Sequence, residues 1–195
     1  IPVAPGAEDN ASGIAVMLQL AEMVSQQTAA FPVQFIAFGA EEPRGSGDAL
    51  HHFGSRQFVA GLSRSDRRTI QAMVALDRVG VPAGYVPICA ADTRGSRLRD
   101  AIRAAAHRVR IDTRACSNRT SDHWSYAKWG IPITFFSTGG HRDYHMLTDE
   151  PQYIDYNHFA RVAQLVHDVG LRVANLDHAV VVDKPKGDPN ARCRQ

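Results

Sequence analysis

The chain has 195 residues, near the upper end of an ordinary single domain, and its 44% apolar content is enough for a sizeable core. With 22% charged residues it reads as a globular protein, which excludes a disordered tail, a collagen-like rod and a coiled coil. Twenty-two basic against 20 acidic residues leave a net charge of +2, so there is no basic field of the kind nucleic acid requires, and no apolar run approaches the ~20 residues of a membrane-spanning helix.

Nineteen of the basic residues are Arg and three are Lys, scattered rather than striped, which is a compositional habit and not a binding face. The three cysteines, Cys89, Cys116 and Cys193, make neither a disulfide scaffold nor a zinc ribbon. Two readings of them stay open: a Cys89–Cys116 disulfide in an oxidising compartment, or three unrelated thiols. The chain opens at Ile1-Pro2-Val3 without an initiator Met, a basic region or a signal core, and is expected to be a processed product or a fragment.

In chain order, Asp9 or Asn10 is a good helix cap, and Ile14, Met17, Leu18, Ala21 and Val24 follow at helical spacing, predicting a helix over about 10–28. Phe31-Pro32 breaks it. Val33 to Phe38 is β-branched and aromatic in character and reads as a buried strand ending in Gly39-Ala40-Glu41-Glu42-Pro43. A helix is expected over about 48–61, with His51 and His52 on its surface. Met73 to Asp77 reads as a second buried strand, again ending in a carboxylate, and Tyr85 to Ala90 as a third.

Leu98, Ile102, Ala105 and Val109 mark an Arg-rich helix, and Ser121 opens a short one that Gly130 ends. Ile131 to Phe136 is the fourth strand. A Gly-containing loop, Ser137 to Thr148, leads to a last helix over about 155–175. Short strands alternating with helices predict an α/β fold of three layers, a mostly parallel, mixed sheet with helices on both faces. One domain over 1–183 and a polar tail over 184–195 is the simplest division.

Ligands in open α/β sheets gather beyond the carboxyl ends of the strands. That rule makes Glu41, Glu42 and Asp77 neighbours. Tyr144 and His145 join them from the loop after the fourth strand, and Asp9 from the start of the first helix. Taken singly, Asp9 is a helix cap, Glu41-Glu42 a pair of solvated loop charges, and His145 a loop hydrogen-bonder. Together, carboxylates and an imidazole on one rim repel one another or go unused unless a cation lies between them, and this donor mix suits zinc or a related first-row metal. The tandem Glu41-Glu42 lets one carboxylate bind metal while its neighbour takes a proton from an activated water. His123 supports the loop before Trp124, and His141 lies on a loop where its spacing from His145 has no helix to rest on. No nucleophile elbow, phosphate-binding Gly loop or base-paired Cys is present.

These residues resemble the bacterial secreted co-catalytic zinc aminopeptidases, which share a fold with glutaminyl cyclases. The matching pieces are Pro5-Gly6-Ala7-Glu8-Asp9-Asn10-Ala11-Ser12-Gly13, Phe38-Gly39-Ala40-Glu41-Glu42 and Ala75-Leu76-Asp77-Arg78-Val79-Gly80. Ser121-Asp122-His123-Trp124 with Gly130-Ile131-Pro132, then Tyr144-His145 with Thr148-Asp149, complete them in order.

The resemblance implies a hydrolase that removes N-terminal residues from peptides through a zinc-activated water. It implies Asp9 as a carboxylate bridging two zinc ions, Glu42 and His145 as further ligands of one, and Asp77 as a ligand of the other. It implies Glu41 as general base and Tyr144 as donor to the oxyanion. The family is mostly exported, which implies an extracytoplasmic location, peptide substrates and no nucleic acid.

The chain also departs from the pattern. The family's second zinc takes a His from a strand about a dozen residues before the bridging Asp, whereas this chain begins eight residues before Asp9. One well-supplied zinc site is therefore expected in place of two. Arg78 stands where the family carries an apolar residue near the substrate pocket, making it a candidate substrate-binding residue. Two other functions follow from these departures: a catalytically silent binding domain or remnant, and a single-zinc glutaminyl-peptide cyclase. Oligomeric state is not legible in the sequence.

Overall fold

The computed structural model describes residues 3–45, 47, 50–82, 85–90, 97–115, 119–175 and 187–189. Gly6, in the left-handed region at φ 67°, turns the chain into a single wide helical turn, Ala7–Ser12. A Cβ at Gly6 would lie 2.7 Å from the Asp9 carbonyl oxygen, so only glycine fits that turn. Helix α1 (Gly13–Ser25) continues from it. A Cβ at Gly13 would meet the Leu76 carbonyl oxygen at 2.8 Å, and the bare glycine lets α1 approach the sheet closely.

The strands are β1 (Met73–Leu76), β2 (Val86–Ala90), β3 (Thr113–Ala115) and β4 (Ile133–Phe136), in the order β1-β4-β2-β3. β1 with β4 and β2 with β3 are parallel, and β2 with β4 is antiparallel, so the sheet is mixed and mostly parallel. β1 and β4 end together, Leu76 opposite Phe136, and the Asp77 N–H donates to the Phe136 carbonyl at 3.1 Å.

Helices cover both faces. On one side lie α1, α4 (Arg97–Arg108) and α6 (Tyr156–Ala174), whose buried Leu98, Ile102, Ala105, Val162, Leu165 and Val169 recur at helical spacing and pack with Phe136. Asp155 caps α6 by accepting from the N–H groups of Asn157 and His158. On the other side lie α2 (Phe53–Gly61) and α5 (His123–Ala127), where Val59, Tyr126, Ile131 and Ile133 form a second core cluster. His123 is buried with its ring stacked on Phe135 at 4.3 Å.

Three expectations need correction. Val33 to Phe38 is not a strand: it forms no ladder with any described residue, and Val33 and Phe35 are 41% and 36% exposed. Phe38 packs on Phe58 and Tyr126, but the segment lies across an apolar cleft of about 530 Å³ from β1, with Ile14, Met17 and Leu20 of α1 among its walls. An apolar run supplies the propensity for a strand, while the hydrogen bonds must come from a neighbour. The helix expected from about residue 48 begins at Phe53. His51 and His52 precede it and are buried rather than on a helix surface, His52 with a left-handed backbone (φ 50°).

The polar helix α3 (Arg64–Thr69) and the three-residue β3 were not anticipated. Ser63 caps α3 through the Asp66 N–H, and Arg67 holds the carbonyls of Val59, Ala60 and Leu62. No helix among the described residues is long and apolar enough to cross a membrane. Cys116, Cys193 and most of the tail expected over 184–195 lie outside the described residues.

Candidate metal centre

Three backbone segments are stitched together before any metal donor is considered. The N–H groups of Glu8 and Asp9 donate to the two carboxylate oxygens of Asp149, at 2.9 and 3.0 Å. The fully buried Glu8 carboxylate accepts from the N–H groups of Gly80 and Val81 and from the Thr138 hydroxyl, fixing the loops after β1 and β4. Asn10 donates to the Leu76 carbonyl, and its Oδ1 accepts from the N–H groups of Gly13 and Arg78. Asp9 sits between these anchors.

Against that frame, His145 Nε2 lies 3.2 Å from Asp9 Oδ2 and 3.2 Å from Glu42 Oε1. One donor atom from each of Asp9, Glu42 and His145 falls within 4.8 Å of the others. Asp77 and His141 stand outside this group. Glu41, beside Glu42, turns to the buried His52, whose Nε2 is 3.3 Å from Glu41 Oε1. Asp77 Oδ1 lies 3.3 Å from Arg78 Nε. The Arg78 guanidinium lies 4.6 Å over the Tyr144 ring, and that ring stacks on His145 at 3.8 Å.

Four of the five non-glycine residues with left-handed backbones among the described residues, Ala40, His52, Arg78 and His145, flank or belong to this cluster. Sparsely populated conformations of this kind concentrate at functional sites.

The electrostatics need a positive charge. Burial pushes the Asp9 carboxyl up from 3.8 to about 7; the charges of Asp77 and Glu42 add to this, and Arg78 and His145 offset it only in part. Burial also raises Asp77, with Arg78 opposing. Burial raises the Tyr144 phenol, again with Arg78 opposing, so its hydroxyl keeps its proton as a donor. Asp122, near enough to Glu41 and Asp77 to feel their charge, is pushed mainly by burial to about 6. Two carboxylate oxygens and an imidazole nitrogen fit a divalent cation of the zinc type with coordination positions left open, and a carboxyl as reluctant to ionise as Asp9 fits a place where a cation supplies the missing charge.

Sequence reasoning assigned no role to His52 or Asp149. The Thr148-Asp149 match marked the latter, whereas nothing in the spacing of His52 from Glu41 marked the former.

The model of peptidase family M28 matches residues 1–170. The chain belongs to that family. Aminopeptidase YwaD of Bacillus subtilis is 28% identical over 176 residues, a match covering 85% of this chain and 37% of YwaD. The structure is similar to that of an aminopeptidase from Aneurinibacillus sp. strain AM-1, with TM-score 0.77, 29% identity and coverage of 96% of this chain and 44% of that one. It is also similar to BSAP, a zinc aminopeptidase from Bacillus subtilis, with TM-score 0.80, 25% identity and coverage of 95% and 47%.

A glutaminyl cyclase from an Acidobacteriales bacterium shares the M28 fold at TM-score 0.69 and 18% identity. This M28 chain spans less than half the length of each of the aminopeptidases named. Both the family and the α/β architecture read from the motifs are borne out.

Proposed function

We propose that this chain acts in the hydrolysis of N-terminal residues from peptides, holding zinc on Asp9, Glu42 and His145 and using Glu41 as general base. The convergence of those three donors beside a carboxylate that is not among them carries this reading. The aminopeptidases of like fold support it, one of them a zinc enzyme.

A divalent cation at the trio supplies Lewis acidity toward a peptide carbonyl and an attacking water. The remaining work falls to side chains. Glu41, its Oε1 held by His52, accepts the proton of the attacking water and delivers it to the leaving amine. The Tyr144 hydroxyl donates to the carbonyl oxygen as negative charge develops on it. His145 is kept in its ring plane by the stacked Tyr144. The same reading places the protein outside the cytoplasm, as exported peptidases are.

The test is cleavage of aminoacyl anilides by the zinc-loaded chain, with and without chelator. Glu41→Gln is expected to lower kcat on the order of 10²–10⁴-fold while zinc uptake is unchanged. Full activity in that variant refutes the mechanism. A three-donor site also suits a single-zinc glutaminyl cyclase, and conversion of an N-terminal Gln peptide to pyroglutamate without hydrolysis would decide for it. No turnover of either substrate with zinc bound would leave a binding domain.

A further inference from the structure

The expected ligand set divides in two. Asp9, Glu42 and His145 meet, whereas Asp77 faces its own neighbour, with Arg78 Nε 3.3 Å from Asp77 Oδ1 and both side chains only 11% exposed. The backbone of Arg78 is held from both sides. Its N–H donates to Asn10 Oδ1 at 3.1 Å, and its carbonyl accepts from the N–H and the hydroxyl of Thr138 at 2.8 and 2.9 Å. From this left-handed position (φ 57°) the side chain reaches over Tyr144, in the same stack as His145. A guanidinium in contact with a buried carboxylate offsets part of the cost of burying it, and its charge cannot be titrated away.

We propose that Arg78, and not a second divalent cation, balances Asp77, so that the site takes a single cation on Asp9, Glu42 and His145. The proposal rests on the reading of that trio as a metal site. A doubly charged ion set against Asp77 would meet the guanidinium at close range and would have to displace it from both Asp77 and the Tyr144 ring. Arg78 then serves as a fixed second charge of the centre, and its expected substrate contact gives way to this role.

The experiment is a zinc titration of the chelator-stripped chain by calorimetry and by competition with a chromogenic chelator, with zinc per chain counted by elemental analysis. Circular dichroism checks the fold of each variant. One zinc per wild-type chain is expected. Asp77→Asn and Arg78→Lys keep one zinc, with affinity within about tenfold of wild type. Arg78→Met, which removes a cation from the surroundings of Asp9, either tightens that zinc on the order of tenfold or admits a second.

Two zinc ions of comparable affinity in the wild type overturn the proposal. So does loss of tight binding in folded Asp77→Asn, or an Arg78→Met titration indistinguishable from wild type. Absence of any zinc binding is a different failure, because it removes the trio as a metal site altogether.

Discussion

Asp9 offers the sharpest check on the electrostatics, because its carboxyl is expected to titrate near 7 in the metal-free chain instead of near 3.8. The perturbation is pH. With a midpoint of about 7, roughly nine in ten Asp9 side chains are protonated at pH 6 and about one in ten at pH 8. A cation must expel that proton, so zinc affinity falls by about tenfold for each pH unit below 7 from this group alone, and binding at pH 6 releases about 0.9 proton from it.

Because the other donors also compete with protons, the decisive assay observes the carboxyl itself: ¹³C NMR of Asp-labelled protein, with the resonance assigned by its loss in Asp9→Asn. The midpoint is expected near 7 without metal and below about 5 with saturating zinc. In Asp77→Asn it falls by about half a unit or more, since Asp77 is one of the charges raising it. A metal-free midpoint near 4 would refute the account of Asp9 as a buried carboxyl awaiting a cation.

Asp122 gives a stability counterpart. Burial raises it from 3.8 to about 6, so the folded state holds this proton more tightly than the unfolded chain does. The resulting stabilisation is full below about 3.8 and is lost as pH rises through about 6, amounting to about 3 kcal/mol at most. Asp122→Asn is expected to flatten that slope in urea denaturation at pH 5 and 7, and equal slopes in the two proteins would refute this. Ala40→Gly, at φ 54°, is expected to gain about 0.5–1 kcal/mol by relieving a left-handed alanine, whereas Ala105→Gly inside α4 loses about 1 kcal/mol or more. Phe135→Ala removes a fully buried ring stacked on His123 and should cost about 3–5 kcal/mol in the same measurement. Asp149→Ala leaves the N–H groups of Glu8 and Asp9 without their acceptors; a loss of about 2–3 kcal/mol is expected, with weaker zinc binding in the titration above.

The strands β1 and β4, the helices α1, α4 and α6 and the convergence of Asp9, Glu42 and His145 were legible because each depends on local pattern plus one topological rule. The apolar runs before Glu42 and Asp77 both end in carboxylates that reach one rim, although the first of those runs forms no strand. What escaped depends on partners. Val33 to Phe38 has the composition of a buried strand, but a ladder is a property of two segments. His52 reaches Glu41 through a left-handed turn and the His52 N–H to Glu41 carbonyl bond at 2.9 Å, neither of which a residue type encodes. The separation of Asp77 from the trio follows from Arg78 being adjacent in sequence and pinned by Asn10 and Thr138. Sequence places charges on a rim; only geometry decides which opposite charge each one meets.

β1 carries no charged side chain and, among the described residues, pairs with β4 alone. Across the cleft from it, Val33 to Phe38 is equally free of lysine and proline, the residues that normally blunt a sheet edge. Both margins present main-chain donors and acceptors to any extended chain that enters, including another copy of this one. Pairing at these margins would draw on backbone hydrogen bonds and not on the net charge of +2. A lysine at the exposed Val33 or Phe35 would guard that slot from the solvent side and leave both core clusters intact.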